Sequence, residues 1–271
     1  MLPVTLPTRL PAQVAPNRAS LYLNPVDITD ARAVWVNPAG LAVVGYPSLH
    51  ADVTVQDPGA RGKLRQITAG FSSRGLGFSY QRDLFSSGLV GHTYRLGIAS
   101  ASGGGDAGRG GGRSRLVVGV AGAFYRGTGA KATGWDVGGV YAIRPSITVA
   151  GVLANIGEPD VRGEELPFTL VPGVVVTPAG QTVAVGAHAR FTPDSVLGYA
   201  LSVRWRAGTR AAVELLARMD TDGELRRSAF AFGVSVGVLD LLGAVATTSG
   251  DARNVDAANL YGVVSRPPGG R

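Results

Sequence analysis

Cysteine is absent from the 271-residue chain, which excludes a disulfide scaffold, a thiolate metal site and a Cys nucleophile together. Lysine is almost absent: it occurs only at Lys63 and Lys131, so arginine carries nearly all of the basic excess behind the formal charge of +7. Those arginines are scattered singly along the chain and are not interleaved with stacking aromatics. A pI near 10.1 therefore does not describe a nucleic-acid surface, and no nucleic-acid partner is expected. Also missing is any apolar run approaching the roughly 18 residues that a membrane-spanning helix needs. The opening "MLPVTLPTRLPAQVAPNR" breaks every short apolar stretch with proline and has no continuous h-region. It does not read as a signal peptide, so an exported protein would have lost its signal or would start elsewhere.

What is present points to strands. Glycine contributes 40 residues, hydrophobic residues 45% and charged residues only 17%, and the mean hydropathy is +0.17. Each interior glycine costs a helix about 1 kcal/mol relative to alanine, so a β-rich, turn-rich chain is the natural reading. Period-2 alternation runs from about residue 47 onward. In "LSVRWRA", Leu201, Val203 and Trp205 fall on one side and Ser202, Arg204 and Arg206 on the other. In "LHADVTVQ", Leu49, Ala51, Val53 and Val55 oppose His50, Asp52, Thr54 and Gln56. "LGFSYQRD", "GWDVGGVYAIR", "VAVGAHARF" and "VELLARMD" repeat the pattern.

The polar faces decide the class. A soluble sandwich would show a Lys- and Glu-rich solvated face, whereas these faces carry Gly, Ala, Ser and Thr with occasional Arg, Asp or His, the composition of a barrel interior. Candidate strands fall at 47–56, 64–73, 75–83, 89–100, 114–126, 134–144, 146–156, 167–177, 181–191, 196–207, 210–220, 225–236, 238–248 and 257–266. That is about 14, an even number of the right length for tilted spanning strands. The expected fold is thus all-β, a transmembrane antiparallel β-barrel. Short connections ("SSRG", "RPS", "PAGQ", "RAGT", "GVLD") alternate with longer ones ("QDPGARGK", "RDLFSSG", "GTGAKATG", "GEPDVRGEELP", "SGDARNVDAA"). The Gly/Ser-rich stretch at about 99–114 breaks the rule. Either the count is off by one strand there, or this loop projects from the short-turn side as a mobile linker.

No catalytic constellation emerges, and no enzyme activity or cofactor is expected. Gly233-Val234-Ser235-Val236-Gly237 fits G-x-S-x-G, but the serine sits inside a strand pattern rather than at a strand-to-helix elbow, with no histidine after it. His50, His92 and His188 have no metal-ligand spacing. "DTDGE" lacks the remaining positions of a calcium loop and reads as an Asp222-Gly223 turn. "GTGAKATG" lacks the ending of a phosphate-binding loop and reads as an outer loop. Glu214, Arg218 and Asp220 share one strand face and read as charge-paired lining. The residues expected to line the lumen are Asp52, Arg95, Asp136, Arg144, His188, Arg190, Arg204, Arg206, Glu214 and Arg218.

A barrel this wide cannot be filled by its own wall, and residues 1–45 are available as a hatch or plug, with the barrel at 46–267 and a tail at 268–271. Within that segment Asn37-Pro38-Ala39-Gly40-Leu41 reads as a rigid turn: Pro38 fixes φ, Asn37 is pushed toward extended geometry, and Gly40 permits a positive φ. The run Asp30-Ala31-Arg32-Ala33-Val34-Trp35-Val36-Asn37-Pro38-Ala39-Gly40-Leu41-Ala42 resembles the N-terminal signature of the FadL and PorV-like outer-membrane barrels. "WDVGGVYAIRPSITVAGVLANIG" is also similar to barrel modules found with signal-peptide-peptidase-like proteins. The resemblance implies a barrel in the outer membrane of a Gram-negative-type bacterium, surrounded by its lipid, with an N-terminal hatch. FadL-type members pass hydrophobic small molecules, whereas PorV-like members dock secreted or periplasmic proteins, so both functions are carried forward.

Overall fold

A computed structural model describes residues 22–43, 45–56, 63–85, 88–102, 116–127, 130–161, 163–178, 182–208, 212–237, 240–249 and 255–266. Two single-turn helices, α1 (Ala33–Val36) and α2 (Gly40–Val43), precede the strands β1 (Ser48–Gln56), β2 (Lys63–Ser73), β3 (Leu76–Leu84), β4 (Val90–Ser102), β5 (Leu116–Gly127), β6 (Ala130–Arg144) and β7 (Ile147–Ile156). The chain continues through β8 (Thr169–Val176), β9 (Val183–Phe191), β10 (Val196–Ala207), β11 (Val213–Thr221), β12 (Arg227–Val236), β13 (Asp240–Ser249) and β14 (Ala257–Ser265). Each strand pairs antiparallel with its sequence neighbours, and β1 pairs with β14 from Ser48↔Ser265 to Gln56↔Ala257. The result is a closed 14-strand barrel with no free edge, the transmembrane barrel expected from the alternation.

Closure explains why the strands are so plainly two-faced. Outward positions are large and apolar: Leu49 is 61% exposed, Phe71 47%, Ile98 55%, Trp205 43% and Leu260 57%. Such a belt is costly in water and ordinary in hydrocarbon. Inward positions reverse the chemistry, with His50, Asp52, Thr54, Gln66, Gln81 and Asn259 all buried. Among the described residues no helix is long and apolar enough to cross a membrane; the strands are the spanning elements.

One connection differs from expectation. Most of "GTGAKATG" belongs to strands, because β5 runs to Gly127 and β6 begins at Ala130. The register runs on to Gly127↔Ala130, so the ladder continues into a stretch whose glycines had marked it as a loop. The Gly/Ser-rich stretch keeps its place in the count: with β4 ending at Ser102 and β5 beginning at Leu116, it joins these strands at the short-turn end, although 103–115 lie outside the described residues. Gly233 to Val236 of the G-x-S-x-G match close β12, with Gly237 just beyond it, as a strand reading requires. The expected plug residues 1–21 and the tail 268–271 also lie outside the described residues.

Much of the buried apolar contact lies between residues 22–43 and the inner wall. Tyr22 packs with Ala231, Val245, Tyr261 and Val263, and Ile28, Ala33, Val34 and Leu41 gather with Ala121. Val26 meets Val175 and Ala184, and Ala39 meets Val117 and Val140. Burying a leucine such as Leu41 contributes about 1.5–3 kcal/mol.

Candidate functional site

The segment 22–43 meets the lumen wall along a surface fitted to it by missing side chains. A Cβ on Gly138 would stand 2.0 Å from Asn37 Oδ1, one on Gly119 2.6 Å from the Pro38 carbonyl carbon, and ones on Gly77 and Gly97 2.8 and 2.9 Å from Leu41 methyls. These inward glycines let the segment's backbone approach β3 to β6 directly. Asn37 is fully buried. Its Nδ2 donates to the Pro25 carbonyl at 2.8 Å and to Gly139 of β6 at 3.4 Å, while its Oδ1 accepts from the Ala39 amide at 3.1 Å. One amide thereby joins two arms of the segment and touches the wall.

Asn37 has the extended geometry expected before proline, φ −155° and ψ 104°. Gly40 does not adopt the expected positive φ, which it would need only for a reversal there. It opens α2 instead, and its requirement is space: a Cβ would lie 2.2 Å from the Ile28 carbonyl oxygen. The tetrapeptide is a hinge between two helical turns rather than a sharp reversal. Ala39 and Leu41 are buried beside it.

Polar groups complete the seating. Arg95 of β4 lies 2.6 Å from Asp136 of β6 and donates to the Val34 carbonyl at 2.9 Å. Its guanidinium also covers the Trp35 ring at 5.1 Å, while Trp35 Nε1 donates to Ser79 Oγ at 2.7 Å. Asp136 accepts from the Asn155 amide at 2.9 Å. Arg204 of β10 pairs with Asp27 at 2.5 Å, and Arg206 pairs with Glu214 of β11 at 2.9 Å. Arg218 donates to the Leu23 carbonyl at 3.1 Å, pairs with Asp220 at 2.8 Å and lies 3.4 Å from His188 Nε2. Within the segment, Arg32 pairs with Asp30 at 2.7 Å, donates to the Tyr22 hydroxyl at 3.0 Å and stacks over Tyr261 at 4.9 Å.

The segment's ionisable groups move in opposite directions, although burial pushes each of them up. Asp27 is raised above the ordinary carboxylate value, because burial outweighs the opposing Arg204 charge. Burial also pushes Asp30 up, but the Arg32 charge and hydrogen bonds more than offset it and leave that carboxyl below its usual range. Burial pushes Tyr22 upward.

The other expected lining residues divide by place. Asp52 is buried beside His50 on the same face of β1, with 3.6 Å between Oδ2 and Nε2. Arg190 is half-buried on the inward face of β9. Arg144, the last residue of β6, is exposed at the short-turn end, where the strand has passed beyond the enclosed section. Sequence reading leaves Tyr22 and Asp27 unnamed and gives Asp30, Arg32 and Trp35 only as members of the resembling run, without partners; the aromatic and charged density of 22–35 is the available signal. Among the described residues no cluster of three His, Asp or Glu side chains could hold a metal ion.

Space remains on both sides of the wall. A cavity of about 450 Å3 between the segment and the wall opens toward the short-turn end, bordered by Tyr46, Ser48, Thr148, Thr182, Arg206 and Ser265. At the opposite end Val161, from the β7–β8 connection, packs on Ala123 and Tyr125. An apolar hollow of about 590 Å3 lies where outward-facing Val174, Ala187, Ala189, Leu201 and Met219 meet beside Pro172. There the β8–β9 ladder is interrupted: Leu170↔Phe191 is followed by Gly173↔His188, with no pairing at 171 or 172. Pro172 has no N–H to give.

No protein-family model matches the chain, and no curated protein matches it in sequence. Solved structures do. The Ralstonia pickettii toluene transporter TbuX is similar with a TM-score of 0.55 at 11% identity, over 89% of this chain and 97% of that one. The CymD monoaromatic hydrocarbon channel gives 0.50 at 10% identity, over 90% and 94%. The Acinetobacter baumannii outer membrane protein Omp33 also gives 0.50 at 10%, over 82% and 98%. At such identities the likeness speaks for the fold, that of an outer-membrane β-barrel.

Proposed function

We propose that this chain is a non-enzymatic barrel of a Gram-negative-type outer membrane that passes hydrophobic small molecules, with residues 22–43 acting as its hatch. The observation that carries the reading is the seating of Asn37 to Leu41 against the inward glycines of β3 to β6, with a cavity left between the segment and the wall. The interrupted ladder at Pro172, beside an apolar hollow, supports an exit for apolar cargo through this break in the wall. The solved barrels named for toluene and for monoaromatic hydrocarbons suggest small aromatic hydrocarbons as the first compounds to test. Replacing Asn37 and Pro38 together by alanine is expected to leave the heat-modifiable barrel intact while changing toluene uptake by proteoliposomes. Unchanged uptake would count against the hatch.

A second reading rests on the density of that seating. Arg95, Arg204 and Arg218 each bind the segment from a different strand, which favours a barrel that conducts nothing and anchors a secreted or periplasmic partner. Liposome swelling with small solutes separates the two: swelling supports passage, and its absence together with partner recovery from outer-membrane extracts supports docking.

A further inference from the structure

Among the described residues, the guanidinium groups of Arg32, Arg95, Arg204, Arg206 and Arg218 each lie against a carboxylate. Arg190 has none within ion-pair distance among the described residues, although it is half-buried and faces the lumen. It lies two residues beyond His188 on the same face of β9. Across the β9–β10 ladder these two pair with Gly198 and Ala200, which project almost nothing into the space in front of them. On β11 the same area holds Arg218 and Asp220, the latter opposite Ala200. That carboxylate is engaged by Arg218.

The imidazole supplies an independent observation. Arg218 Nη2 can only donate, so at 3.4 Å from His188 Nε2 it holds that nitrogen as acceptor. In the neutral ring the proton then resides on Nδ1, and Nδ1 is buried with no hydrogen-bond partner. A buried donor without an acceptor is costly, and here it stands beside an uncompensated cation.

We infer that Arg190 and His188 Nδ1–H form an anion site in the lumen wall, which takes the carboxylate of a small organic acid. A carboxylate accepts from several donors at once and suits a guanidinium fork; it would neutralise Arg190 and give His188 its missing partner. Glu214, Arg204 and Arg206 lie further toward the short-turn end and are already paired with one another or with Asp27, so the site has no second cation to spare and one carboxylate satisfies it. This inference goes beyond the passage of uncharged molecules and does not depend on whether the lumen conducts.

The test is acetate labelled with 13C at the carboxyl, titrated at constant ionic strength into the full chain refolded in detergent, with line broadening as the readout. Wild type is expected to broaden the signal saturably. Arg190→Gln, which removes no contact seen in the structure, should weaken binding roughly tenfold, the scale of one lost charge-assisted contact, and Arg190→Lys should restore part of it. Competition by phosphate at similar concentration would widen the ligand class to oxyanions and still support the site. Equal broadening by wild type and Arg190→Gln, or displacement by chloride as effective as by acetate, would overturn it. Toluene uptake measured in parallel reports on the transport reading separately, since a neutral ring has no use for Arg190.

Discussion

Arg95 and Asp136, 41 positions apart, meet at 2.6 Å on the inner wall while the same guanidinium holds the Val34 carbonyl at 2.9 Å. The side chains are only 9% and 8% exposed, so removing one partner strands the other charge. Arg95→Leu is expected to destabilise the barrel by about 3–5 kcal/mol, read as the midpoint of the gel-mobility transition on heating. The double variant Arg95→Leu with Asp136→Leu should recover much of that loss. A double variant as weak as the single one would show that Arg95 acts through Val34 alone.

Gly138→Ala addresses the cradle without touching a charge. Its Cβ would stand 2.0 Å from Asn37 Oδ1, and overpacking of this kind costs about 1–3 kcal/mol. The segment, rather than the 14-strand wall, is the part that can give way, so limited proteolysis should cut within 22–43 while the folded-barrel mobility persists. Gly151→Ala is the control, because a Cβ there has nothing within 4 Å, and its digestion pattern should match wild type.

Acidity should act through two carboxylates with opposite signs. Asp27 is raised above its ordinary value of 3.8, so its contribution to the folded state is full below 3.8 and is lost as pH rises through its own higher value. Asp30 is lowered, so its contribution is full above 3.8 and is lost as pH falls through its own lower value. For these two groups the thermal midpoint, followed by circular dichroism, should be highest near 3.8 and decline on either side. Asp27→Asn should flatten the higher-pH limb and Asp30→Asn the acid limb; a reversed assignment of limbs would contradict the burial argument.

The wall was legible and the seating was not, for a physical reason. Lipid outside and a lumen inside impose opposite chemistry on alternate residues, so Leu201, Val203 and Trp205 against Ser202, Arg204 and Arg206 declare a strand and its two faces with no neighbour in view. Helical turns of four residues, such as Ala33–Val36 and Gly40–Val43, are too short to show a period, and an all-β expectation passed over them. Gly40 was read for its backbone freedom, when what selects it is the Ile28 carbonyl 12 residues earlier. The pairing of Asp27 with Arg204 spans 177 positions, and a charge pattern along one strand carries no mark of a partner that distant.

Pro172 offers the last prediction, because it separates stability from passage. A central strand rarely tolerates proline, which withholds a ladder hydrogen bond, and the β8–β9 pairing lapses at 171 and 172 alone between flanking pairs that keep register. Pro172→Val restores a donor at an outward position, already apolar, without changing which face meets lipid. One added backbone hydrogen bond should stabilise the barrel by about 0.5–1.5 kcal/mol, seen as a higher thermal midpoint. If apolar cargo leaves through this interruption, the same variant should slow toluene uptake while leaving the swelling rate with small polar solutes unchanged. A stabilised barrel with undiminished uptake would place the exit elsewhere and leave Pro172 as a break in the ladder with no part in transport.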